Sequence, residues 1–185
     1  MDYAQLSRFQ IQSVTDQEDY LKLPAIVTGA SAGVLPEQLG VWSYPTADSD
    51  SDKASFNLVT AMMGRIHQSG RLDKLSANAS NRVAQGIDLY KRVLRRHVPQ
   101  ATPFFPLGMP DLTNRVSPIA LGMRAPELTW IAVWRLDGPS RVTIPTRSKT
   151  PRILYPEQAG IIFDKKEEQL VIEFPRTRMG CLFLI

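Results

Sequence analysis

Hydrophobic and polar positions alternate over residues 8–14, RFQIQSV. Phe9, Ile11 and Ser13 fall on one side and Arg8, Gln10, Gln12 and Val14 on the other, which is the two-residue period of a strand. The next residues are polar and acidic, and a helical-looking segment follows. Asp16 is therefore expected just past the C-terminal end of a strand. In an α/β barrel that rim gathers catalytic side chains. Asp is also a favoured helix N-cap, and the local pattern by itself favours that reading. Pro24 suits the first turn of a helix, predicted to run through AIVTGASAG to about Leu35 and to stop before Pro36. A strand-like piece, LGVWSYP, covers 39–45. The polar loop TADSDSD follows it and is rich in capping residues.

A helix is predicted over 52–68, where Phe56, Val59, Met63 and Ile66 make one apolar stripe, with Gly70 as its stop. His67 has no neighbour at metal-ligand spacing and is expected as a surface histidine near that helix's end. A second helix is predicted over about 80–96, striped by Val83, Ile87, Tyr90 and Leu94. The texture then changes. Prolines fall at 99, 103, 106, 110 and 118, and no helical period survives. Beyond them come the short apolar runs PIALGMRA, LTWIAVWRL, RVTIPT, RILYP, GIIFD, QLVIEFP and MGCLFLI, separated by turn signals such as DGPS. Evenly spaced short strands of this kind predict an antiparallel sheet or small sandwich. Trp130 and Trp134, four apart on a strand, face the same side and are expected in its core. The division is placed near Val98. Two βα units precede it, implying a parallel sheet, and the antiparallel part follows.

Composition narrows the function. The 185 residues are 43% hydrophobic and 22% charged, as in a globular protein. No apolar run is long enough to span a bilayer, so no membrane partner is expected. MDYAQLSRF has neither a basic nor an apolar leader region, and a cytoplasmic location is expected. The single cysteine, Cys181, excludes an internal disulfide and a cysteine-based zinc site and is expected as a small buried hydrophobe. Net charge is +4. The densest basic run, KRVLRRH, ends a predicted helix, where the dipole favours cations, and no nucleic-acid motif accompanies it. No nucleic-acid partner is expected.

The stretch AIVTGASAG resembles the nucleotide loop of short-chain dehydrogenases, in which glycines let the backbone approach a pyrophosphate. Leu35 stands at the third glycine position here, Pro36 follows it, and the YxxxK pair of those enzymes does not occur. Small residues of a helix packed on a sheet are the preferred reading, and no cofactor is expected.

A broader resemblance rests on several long segments in order: MDYAQLSRFQIQSVTDQEDY, LPEQLGVWSYP, ASFNLVTAMMGRIHQSGRLDKLS, TPFFPLGMP and ALGMRAPELTWIAVWR. They resemble the C-terminal part of an α-galactosidase of glycoside hydrolase family 36, over residues 1 to about 145, and the remainder does so more loosely. The resemblance implies the last two βα units of a (β/α)8 barrel over 1–98, starting near the seventh strand, and a C-terminal antiparallel β-sandwich domain over 99–185. A whole barrel takes about 250 residues, so 185 residues cannot hold one. The implied chemistry is retaining hydrolysis of α-galactosides, with two carboxyl groups about 5 Å apart. The family's acid/base aspartate follows Ser or Thr at a strand end in a pattern like S-D-x-x-D. It matches Thr15-Asp16-Gln17-Glu18-Asp19 and implies Asp16 as acid/base, with Asp19 structural. Trp42 is a secondary candidate for lining the substrate pocket. The family's nucleophile segment, K-W-D-x-N, is absent from this chain. The chain is therefore expected to be inactive alone, with an α-galactoside as the complete enzyme's substrate and a homo-oligomer as its assembly. A non-catalytic carbohydrate-associated or oligomerisation module is the alternative.

Overall fold

The computed structural model describes residues 3–185. The first two residues of the leading resemblance segment lie outside them. A short helix α1 (Tyr3–Leu6) leads into strand β1 (Gln12–Ser13). Helix α2 (Leu23–Ala30), β2 (Leu39–Ser43), α3 (Ser51–Ala61), β3 (Arg65–Gln68) and α4 (Ala77–Leu89) follow. Strands β1, β2 and β3 form a parallel sheet in that order, with α2 and α3 in its two crossovers. The AIVTGA portion of the dehydrogenase-like stretch is helix α2 rather than a strand and phosphate loop. Asp50 caps α3 by accepting from Lys53 N at 2.8 Å, and Ser76 caps α4.

Two expectations need correction. The expected strand over 8–14 pairs only at Gln12 and Ser13, because β1 is an edge strand whose one partner, β2, begins opposite Gln12 at Leu39. The helix expected over 52–68 ends at Ala61, and its last four expected residues are instead the parallel strand β3. A Cβ at Gly64 would lie 2.4 Å from Leu39 O, so glycine lets the chain turn tightly there against β2. Ile66 packs on the core from either conformation, which is why the apolar stripe continued through the break.

The second half is antiparallel throughout. Strands β4 (Thr102–Phe104), β5 (Ile119–Arg124), β6 (Thr129–Arg135), β7 (Arg141–Pro145), β8 (Arg152–Tyr155), β9 (Ile162–Lys166), β10 (Gln169–Glu173) and β11 (Met179–Leu184) form two sheets. Their orders are β4-β5-β6-β11-β8 and β7-β10-β9. Each of the seven apolar runs becomes one strand. The brief β4, inside the proline-rich stretch, carries no such run.

Both faces of the five-stranded sheet are covered, so its strands read as nearly unbroken apolar runs. Along β6, Trp130, Ala132 and Trp134 join the helices' core with Phe56, Val59 and Met62. Ile131 and Val133 face the other way and share a second core with Val142, Ile144, Leu170 and Ile172 of the three-stranded sheet. The first core is continuous across residue 98. Cys181 is buried in the second, and burial pushes its thiol well above the ordinary range. Among the described residues no helix is long and apolar enough to cross a membrane.

Tyr155 closes the seam between the halves. It is buried, and its hydroxyl donates to Arg82 O at 2.9 Å. Burial raises its phenol from 10.0 to about 12, so the fold favours the neutral form. That contribution is intact below pH 10, declines as the pH climbs through 10 to 12, and is lost above. We expect Tyr155→Phe to cost about 1 kcal/mol at pH 7 through the lost hydrogen bond. The order should reverse near pH 12, where the wild type forfeits roughly 2–3 kcal/mol. Urea midpoints of both proteins from pH 7 to 12 check this; parallel curves would refute it.

Candidate active site

The three parallel strands end along one rim. Val14 N donates to Gly40 O at 2.9 Å as β1 leaves the sheet. The chain then folds back on itself through alternate side chains. Thr15 Oγ1 accepts from Gln17 N at 3.1 Å, Gln17 Oε1 from Asp19 N at 2.9 Å, and Asp19 Oδ1 from Leu21 N at 3.1 Å. Thr15, Gln17 and Asp19 are thus turned inward and half-buried, while Asp16 and Glu18 stand exposed between them. Among the described residues no side chain caps α2, whose N-cap position is Lys22, and Asp19 closes the turn just before it. Among the described residues the Asp16 carboxylate has no hydrogen-bond or ion-pair partner, so the capping role open to it in the sequence is not one it plays.

Trp42 stands on β2 as an aromatic shelf beside this loop's strand. Its Nε1 donates to Ser13 Oγ of β1 at 2.8 Å. Its ring stacks on Tyr44, with centroids 5.7 Å apart and planes 21° apart. His67 of β3 meets it edge-on at 4.9 Å. Register explains the grouping, since Trp42 is opposite His67 and Ser13 is opposite Gly40. A Cβ at Gly40 would lie 3.2 Å from both His67 and Ile11, so the glycine lets these side chains close over the strand. His67 is not the helix-end surface residue expected from the sequence, because the helix has already stopped. Ser13, Tyr44 and His67 are functional candidates that sequence reasoning missed. The only signal for His67 was Gly64, three residues before it.

Asp19 Oδ2 accepts from Arg115 Nη2 at 2.7 Å, joining the rim loop to the segment after β4. Behind it, Tyr20 meets Phe56 edge-on at 5.2 Å, with the Lys53 ammonium over its ring. Burial raises the Tyr20 phenol, and Arg178 opposes that rise. Among the described residues no group of three or more His, Cys, Asp or Glu side chains could hold a metal. Chemically, the rim offers two carboxylates without a partner among the described residues, Asp16 and Glu18, each able to exchange a proton with a ligand. It also offers an amphipathic ring surface with a polar edge.

No protein-family model matches the chain, and no curated protein does. Solved structures do. The chain is similar to the galactosidase domain of the α-galactosidase–sucrose kinase AgaSK, with a TM-score of 0.64 and 16% identity over 92% of this chain. It is similar to a variant of the GH36 α-galactosidase AgaA from Geobacillus stearothermophilus in complex with raffinose, at 0.62 and 13% over 92%. The GH36 α-galactosidase AgaB from the same organism gives 0.61 and 16% over 93%. The chain spans about 25% of the length of each. Its fold is therefore one that GH36 α-galactosidases contain.

Proposed function

We propose that the chain is the C-terminal portion of a GH36-type α-galactosidase. In this reading residues 1–98 supply the last βα units of the catalytic barrel, and 99–185 the antiparallel domain. Asp16 is the acid/base and Trp42 lines the pocket. The observation that carries the reading is the placement of Asp16, exposed and unpartnered just past the C-terminal end of a parallel strand. That is where barrel enzymes carry their catalytic groups.

In retaining hydrolysis such a group protonates the leaving oxygen as the glycosyl–enzyme bond forms at a second carboxylate. It then takes a proton from the water that breaks that bond. The nucleophile segment is absent from this chain, so the chain performs the proton transfers only when another segment brings the second carboxylate. The expected result is no hydrolysis of an aryl α-galactoside by the isolated chain, with Asp16→Asn indistinguishable from wild type. Turnover by the chain that Asp16→Asn abolishes would mean a second carboxylate is supplied within it, and the division of labour would have to be redrawn.

A further inference from the structure

We propose that Arg115 is a positioning residue for Asp16, holding the 15–20 loop from the antiparallel half of the chain; this rests on the acid/base reading above. Three of the loop's six residues use their side chains to accept from backbone N–H groups, two within the loop and one at Leu21 just past it. Those bonds shape the loop and do not fix it in space. The external ionic link is Arg115 Nη2 to Asp19 Oδ2 at 2.7 Å, three residues from Asp16.

Arg115 is itself well placed to act as an anchor. Its carbonyl accepts from Asp137 N at 2.8 Å, in the turn between β6 and β7. Asp137 in turn accepts from Arg178 Nε at 2.9 Å. At Gly138 a Cβ would fall 1.8 Å from Val116 O, so the neighbouring backbone is pressed directly against that turn. The rim loop is thereby referenced to the end of β6 and the start of β11, both in the core of the other half. Asp19 also occupies the guanidinium, leaving Asp16 without a competing cation bound to it.

With side chains 40% and 31% exposed, the pair adds little to global stability. Its effect is local, and it can be tested locally. We expect ¹⁵N relaxation on the 185-residue chain to give order parameters of about 0.85 for residues 15–20, falling below about 0.6 in Arg115→Ala. The unfolding temperature should be nearly unchanged. Arg115→Lys should recover most of the order. Asp19→Asn, which keeps the Oδ1 acceptor for Leu21 N and removes the charge, should reproduce Arg115→Ala, and the double variant should add nothing. Sodium chloride at 1 M, where screening acts within about 3 Å, should move the wild type toward the variant. A purely steric role would not give that response. A loop still ordered in both Arg115→Ala and Asp19→Asn would overturn the proposal, as would indifference to salt. These readouts do not depend on catalysis. Released loop order combined with an active Asp16→Asn in the assembled enzyme would retire the acid/base role and leave Arg115 as a tether alone.

Discussion

Trp134→Ala should lower the stability of the chain by about 3–5 kcal/mol, a fall of roughly 6–20 °C in Tm for a chain of this size. The indole is fully buried. It lies across Gly180 of the paired strand, where a Cβ would come 2.8 Å from its Cδ1 and 3.6 Å from Val59 of α3. The ring thus fills the space between α3 and the five-stranded sheet, and truncation opens a cavity where helix and sheet meet. Trp134→Phe separates volume from polarity. Among the described residues Trp134 Nε1 has no acceptor, so phenylalanine loses no hydrogen bond and keeps most of the apolar volume. It should cost less than half as much. Calorimetry on the three proteins decides the matter: equal losses for Ala and Phe would mean that the N–H, not the cavity, is the determinant.

Asp16→Asn, in an enzyme assembled from this chain and a segment carrying the nucleophile, should reduce kcat by about 10²–10⁴-fold with Tm unchanged. The stability half of this expectation follows from the Asp16 carboxylate being exposed and unpartnered, since substitutions at such sites stay within about 0.5 kcal/mol. The activity half depends on which proton transfer limits turnover. A nitrophenyl leaving group departs with little help, so its loss should sit in the second, base-assisted step and show as a burst. An alkyl or sugar leaving group needs protonation and should lose more, in the first step. Steady-state and rapid-mixing assays on both substrate types test this. A variant that loses Tm and activity together would make Asp16 a structural residue.

The antiparallel half was legible because β5, β6 and β11 are buried on both faces and appear as apolar runs, while β7, β9 and β10 alternate between inward and more exposed positions, all bounded by turn residues. The rim was harder. The placement of Asp16 past a strand end was legible because the strand period before it is local, whereas the role proposed for it rests on the resemblance carried by the T-D-x-x-D spacing. Arg115 lies 96 positions from its partner Asp19, and nothing local marks an ion pair closed by tertiary folding. His67 was hidden by a coincidence of period: Ile66 continued a helical stripe that had ended at Ala61, and a four-residue strand is too short to show its own alternation. The minimal β1 was overread because alternation reports which side chains face inward, whereas a ladder also needs a partner strand.

Helix α3 is buried over every residue from Ala54 to Ala61, as a helix enclosed on all sides must be. It packs on β2 from one side and on β11 from the other, with α4 alongside. Inserting or deleting one residue turns everything beyond it by about 100°, which would misalign all three contacts together. Among descendants of this chain, α3 should therefore drift in composition while holding its length. The exposed stretch carrying Leu107, Met109 and Leu112 is under no such constraint and is where growth and loss of sequence should accumulate.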